Sequence, residues 1–72
     1  MSSAAKIAKA SQQFSSKVNL VKGDVTANAK SVLNITGLLA PLGTKITVIA
    51  EGEDEKEAVE ALEKLFDERF EE

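Results

Sequence analysis

The sequence predicts an α+β fold, with helices packed on one side of a small antiparallel sheet. Three observations carry that expectation. Residues 17–21 and 25–29 alternate in hydropathy and are separated by Lys22-Gly23-Asp24, which is hairpin chemistry. A third alternating run, residues 44–50, stands alone further along the chain. Segments with apolar residues at helical spacing precede, separate and follow these strands, which gives the order α-β-β-α-β-α with no internal repeat and no linker.

Residues 3–13 form the first expected helix. Ala4, Ile7, Ala8 and Ser11 fall at i, i+3, i+4 and i+7, with Lys6, Lys9 and Gln12 on the other side. Ser2 or Ser3 suits its N-cap, and Phe14 is a core plug at its exit. In the first strand Val18 and Leu20 share a face, and Gly23 is free to take a positive φ in the turn. Val25, Ala27 and Ala29 share a face of the returning strand.

The second helix is expected over residues 31–39, with Ser31 at its start and Val32, Leu33, Ile35, Leu38 and Leu39 as apolar positions. So short a helix needs tertiary support. Its apolar residues cover more than one stripe, so part of them stays exposed as a contact surface. Ala40-Pro41-Leu42-Gly43 is a turn, with Leu42 an extra exposed apolar contact. Ile46, Val48 and Ala50 then lie on one face of the third strand, Thr47 and Ile49 on the other, and Glu51-Gly52-Glu53 is a loop. The last helix spans 54–70, opened by a capping-box-like Asp54-Glu55-Lys56-Glu57 and buried through Ala58, Ala61, Leu62, Leu65 and Phe66. Asp67, Glu68, Glu71 and Glu72 crowd its C-terminal end, against the dipole preference for cations there, so fraying is expected.

Composition narrows the function. Seventy-two residues, 43% of them hydrophobic, suit one globular domain over 1–72. There is no Cys and no His, which removes the usual zinc and copper ligands and thiolate chemistry, and no cofactor is expected. A net charge of −3 argues against nucleic acid as a partner. No apolar run approaches the roughly 20 residues of a membrane span, and no signal peptide is legible, so a cytoplasmic protein is expected. Glu51, Glu53, Asp54, Glu55 and Glu57 lack EF-hand spacing and are better explained as a solvated loop and cap. No metal site and no catalytic residue is assigned.

Several marks occur together in order: Phe14 at a helix exit, the step Ala29-Lys30-Ser31, the turn with Pro41 and Gly43, and Ala50-Glu51-Gly52. With this order of elements the chain resembles the HPr family, the histidine phosphocarriers of the bacterial phosphotransferase system. That resemblance implies an open-faced sandwich running β-α-β-β-α-β-α, and so a leading strand upstream of the first helix here. It also implies a motif Gly-[Leu/Met]-His-x-Arg-Pro before that helix, whose His carries phosphate. Met1, Ser2 and Ser3 would occupy its last three positions, so neither the His nor the Arg is present in these residues. Two expectations stay open: a shortened form of such a phosphocarrier, or a relative without phosphotransfer that acts as a regulatory or interaction module.

The same resemblance supplies site residues. Ser31 matches the serine that some members phosphorylate for regulation, and the plainer expectation is an N-cap serine. Ala5, Lys9, Gln12, Val32, Leu33 and Thr36 match positions through which the family docks on its phosphate donor and sugar-specific acceptors. For Val32 and Leu33 the competing expectation is core packing; for Lys9 and Gln12 it is a solvated helix face. In the family the leading strand pairs with the strand corresponding to residues 44–50. Without it that edge is open, and either a homodimer through it or a weakly stable monomer is expected.

Overall fold

The computed structural model describes residues 3–38 and 45–69. Its elements are α1 (Ser3–Gln12), β1 (Lys17–Lys22), β2 (Val25–Asn28), α2 (Val32–Leu38), β3 (Thr47–Glu51) and α3 (Glu55–Arg69), in the order the sequence predicts. The three strands form an antiparallel sheet ordered β2-β1-β3. Cross-strand partners put Val18, Leu20, Ala27, Val48 and Ala50 on one face and Lys17, Asn19, Val21, Thr26, Thr47 and Ile49 on the other. The first face is covered by α2 and α3, with α1 packed against both helices in the same core cluster, and the second faces solvent, so the fold is an open-faced α+β sandwich.

The core joins every element. Ile7 and Ala8 of α1, Val18 and Leu20 of β1, Ile35 of α2, and Ala58 and Leu62 of α3 are all but fully buried in one cluster. Each large aliphatic side chain there contributes about 1.5–3 kcal/mol. The predicted α1 stripe is buried throughout, including Ser11, whose hydroxyl donates to the Ile7 carbonyl at 2.8 Å. Phe14 packs against the cluster where α1 ends. There the Gln13 and Phe14 N–H groups donate to the carbonyls three residues back, tightening the last turn.

The hairpin has Gly23 at φ +60° as the first of its two loop residues, the type II′ pattern whose twist suits β1 and β2. At the far end the ladder continues past β2, because the Ala29 N–H donates to the Val18 carbonyl at 2.9 Å. Val25 departs from expectation. It shares the parity of Ala27 and Ala29 but lies at the hairpin tip, beyond the helical cover, and is exposed.

Other boundaries shift slightly. Ser3 is already helical, while Ser2 lies outside the described residues. The third strand begins at Thr47 and includes Glu51, and its face assignment holds: Ile46, Val48 and Ala50 are half-buried, Thr47 and Ile49 exposed. Leu39, the 40–43 turn with Leu42, Thr44, Phe70, Glu71 and Glu72 lie outside the described residues, as do the side chains of Asp67 and Glu68.

The start of α3 differs in mechanism from the expected capping box. The Asp54 carbonyl accepts the Ala58 N–H, as the residue before a helix should. Its carboxylate, however, turns to the loop after α1. The reach-back bond lies two residues earlier than the expected Glu57–Asp54 pair: Glu55 Oε1 accepts the Gly52 N–H at 3.0 Å. Gly52 has φ +149°, and a Cβ there would meet Ser16 Oγ at 2.6 Å and Ser16 Cα at 2.8 Å. Only glycine fits this crossing of the two loops.

Candidate functional site

Two helices meet at the candidate surface. On α1, Ala5, Lys9 and Gln12 are spaced i, i+4, i+7 and so form one stripe beside the buried one. Lys9 and Gln12 are exposed and Ala5 is half-buried. On α2, Ile35 and Leu38 point into the core, which turns Val32, Leu33 and Thr36 outward. Val32 is 44% exposed and Leu33 is 83% exposed, so core packing does not explain either. The Thr36 hydroxyl donates to the Val32 carbonyl at 2.8 Å, so its one donor is used within the helix. Helices α1 and α2 pack side by side. The result is an apolar knob on α2 beside a polar, lysine-bearing stripe on α1, the composition of a protein-docking surface.

Seven residues do not hold a helix alone, and the bonds at both ends of α2 show what does. Ser31 caps it: its Oγ accepts the Asn34 N–H at 3.2 Å and its carbonyl accepts the Ile35 N–H at 3.0 Å. At the other end the Lys22 ammonium, reaching across from β1, donates to the Leu38 carbonyl at 2.9 Å. A cation there also meets the negative end of the helix dipole.

The turn before α2 is fastened to α1. Gln12 Nε2 donates to the Lys30 carbonyl at 2.9 Å, and Lys30 Nζ donates to the Phe14 carbonyl at 2.7 Å. The Lys30 N–H donates to Asn28 Oδ1 at 2.9 Å, and the Ser31 N–H to the Asn28 carbonyl at 3.1 Å. Sequence reasoning placed Gln12 on the expected docking stripe, Lys22 in the hairpin turn and Lys30 before the second helix, without the bonds that Lys22 and Lys30 make. Both lysines act 16 residues away from the carbonyls they satisfy, and no local pattern marks them.

A second lock sits on the other side of the same loop. The Asp54 carboxylate accepts the Ser15 N–H at 3.0 Å and the Ser16 N–H at 2.9 Å, with both serine hydroxyls also directed at it. The Ser16 hydroxyl and then the Ser15 N–H hold its pKa down at about 2, from an ordinary value of 3.8, with desolvation opposing them. The loop between α1 and β1 is thus held by Lys30 on one side and Asp54 on the other.

Among the described residues, no three His, Cys, Asp or Glu side chains converge into a metal-binding group, and no helix is long and apolar enough to cross a membrane. The arrangement is an exposed apolar patch beside a lysine-bearing stripe, with a serine at a helix start.

Comparison with known proteins gives this surface its setting. A family model described as the PTS HPr component phosphorylation site matches residues 1–68. The phosphocarrier protein HPr of Treponema pallidum is 39% identical over 69 residues, which are 96% of this chain and 78% of that protein. The HPr-like protein Crh of Bacillus subtilis is 46% identical over 50 residues, 69% of this chain and 59% of that protein. Among solved structures, the HPr dimer from Thermoanaerobacter tengcongensis superposes with a TM-score of 0.87 at 35% identity, over 94% of this chain and 78% of that one. The chain belongs to the HPr family. HPr proteins are phosphocarriers rather than enzymes, and family membership implies partners among phosphotransferase-system proteins.

Proposed function

We propose that these 72 residues are the docking and regulatory body of an HPr-like phosphocarrier of the phosphoenolpyruvate-dependent sugar phosphotransferase system, working in the cytoplasm. Ala5, Lys9, Gln12, Val32, Leu33 and Thr36 meet the donor enzyme and the sugar-specific acceptors. The observation that carries this is Leu33, 83% exposed on a helix otherwise anchored in the core, beside the α1 stripe. A fold that buries Ile35 and Leu38 while displaying Val32 and Leu33 keeps an apolar surface for a partner. The 72 residues contain no His, so carriage on an imidazole is not a reaction of these residues by themselves.

A second reading is a regulatory or interaction module acting through Ser31 without phosphotransfer. It is favoured by the half-exposed position of Ser31 at the start of the docking helix. A phosphate there would place negative charge beside Leu33 and near the helix's unpaired N–H groups. Self-association is compatible with both readings, since the Thermoanaerobacter relative is described as a dimer.

One experiment separates them. Isotope-labelled chain is titrated with the donor enzyme of the system, and phosphoenolpyruvate is added. The proposal expects amide shifts confined to the six named positions and their neighbours, with no acid-labile gain in mass. It expects that gain in a version extended upstream through Gly-x-His-x-Arg-Pro. No shifts at α1 and α2 would remove the docking assignment; shifts without phosphate on the extended version would favour the interaction module.

A further inference from the structure

A lysine stands where the sheet turns side chains towards the helices. Lys22 ends β1 and pairs with Val25 across the hairpin. It shares the parity of the buried Val18 and Leu20, so its side chain sets out from the face that carries the helices. Lysine rarely takes such a position unless its ammonium finds a partner. Here the residue is half-buried and its Nζ ends 2.9 Å from the Leu38 carbonyl, at the C-terminal end of α2. Helix α2 lacks what that contact supplies. Of its seven residues, Val32, Ile35 and Thr36 are β-branched, and Asn34 and Gly37 are also poor helix formers. Its first turn has no acidic residue and its last no basic one, so its own side chains do not answer the dipole. Ser31 caps one end, and the cation at the other comes from β1, 16 residues away.

We propose that Lys22 is a positioning residue for the docking surface: it holds the last turn of α2 and so sets how Val32, Leu33 and Thr36 are presented, without meeting the partner itself. The proposal rests on the docking role of α2. Leu38 is held at two points, its side chain buried in the core and its carbonyl bonded to Lys22. Seven residues make only about two helical turns. Thr36 lies in the second turn, and without that turn Val32 and Leu33 stand on a single turn, which is not stable in water. Loosening the end of α2 therefore loosens the whole patch. Leu38 lies five residues beyond Leu33, about 7.5 Å along the axis, so the ammonium stands at the far end of the helix from the exposed pair. A partner's apparent affinity scales with the fraction of chains whose patch is formed, so Lys22 acts on affinity through α2 alone.

The test compares the 72-residue chain with Lys22→Met, which keeps an apolar stem and removes the ammonium, and Lys22→Arg, which keeps a cation that donates. Two quantities are read on each: the helical displacement of the Cα chemical shifts in α2 and α3, and affinity for the donor enzyme of the phosphotransferase system. In Lys22→Met the displacement over residues 35–38 is expected to fall at least about twofold, the low end of a cation's effect at a helix C-terminus, with α3 unchanged. Affinity should fall in step, by at least about twofold. Lys22→Arg should recover both. Leu33→Lys checks the docking role separately: if it binds as tightly as the parent, that role falls and the proposal falls with it. If it loses affinity, the docking role stands and the Lys22 variants decide. Lost helical displacement with unchanged affinity overturns the proposal. Lost affinity with unchanged displacement overturns it too, by making Lys22 a contact residue, and so does an equal change in α3. If Lys22→Met fails to fold, a hydrogen-bond scalar coupling between Lys22 Nζ and the Leu38 carbonyl carbon is sought in the parent chain: its presence supports the proposal and its absence overturns it.

Discussion

Helices α2 and α3 are anchored alike and finished differently. Each sends fully buried side chains into the same cluster, Ile35 from α2 and Ala58 with Leu62 from α3. Yet α3 has 15 residues, an acidic first turn, and charged residues at Lys56, Glu57, Glu60, Glu63 and Lys64 on its outside. Helix α2 has seven residues and shows Val32 and Leu33 to solvent. The first presents the outside that keeps a small domain soluble. The second presents an outside that costs solubility, and its ends are held by Ser31 and by Lys22 from another element. That difference is what the proposed docking role of α2 would use.

The largest effects are expected at the shared anchors. Leu62→Ala and Ile35→Ala should each cost about 2–5 kcal/mol, read from denaturant midpoints, because both leave a cavity in one core. Equal losses would show that α2 is as deeply anchored as α3 despite being half its length. A loss at Ile35 near zero would mean that α2 is only loosely docked.

The end of α2 should respond next. Ser31→Ala removes the acceptor for the Asn34 N–H and should cost roughly 0.5–2 kcal/mol, whereas Ser31→Asp keeps an acceptor and should be close to neutral. Coincident unfolding curves for the Ser31→Ala variant and the parent would show that the cap is not used.

A smaller effect sharpens the same contrast at the entry to α3. The folded pKa of Asp54, about 2, lies below its ordinary 3.8. A depressed carboxylate contributes stability that is present in full above the ordinary value. That contribution declines as pH falls below 3.8 and is lost as pH falls through about 2. Asp54→Asn should flatten this part of the stability–pH curve between those limits. A parent chain with no decline there would show that the carboxylate is not held by Ser15 and Ser16.

How much of this was legible beforehand depends on distance along the chain. The α1 stripe, the hairpin with Gly23 and the faces of β3 were readable because hydropathy period and turn chemistry are local. So was the exposure of part of α2, since Val32, Leu33, Ile35 and Leu38 cannot all face one way. The Asp54 carboxylate was misplaced because it answers N–H groups 38 and 39 residues away. Its position in Asp54-Glu55-Lys56-Glu57 looks like a cap, and the nearer reach from Glu55 to Gly52 does that work instead. The bonds of Lys22 and Lys30 were invisible for the same reason. Val25 was misread because parity predicts a face and does not say where the helical cover stops. At the candidate site, the resemblance supplied which residues to look at, and the bonds that fasten α1 to the turn before α2 had no local signal.

On the proposed function, α2 displays a surface for a partner on a body whose stability lies elsewhere. Leu33→Lys separates the two, with affinity for the donor enzyme and the denaturant midpoint measured on the same preparation. Leu33 is 83% exposed, so stability should change by no more than about 0.5 kcal/mol. Affinity should fall about tenfold or more, equivalent to about 1.4 kcal/mol or more, as expected for a central apolar contact. Unchanged affinity, or a loss of affinity that only tracks a loss of folded protein, would contradict it.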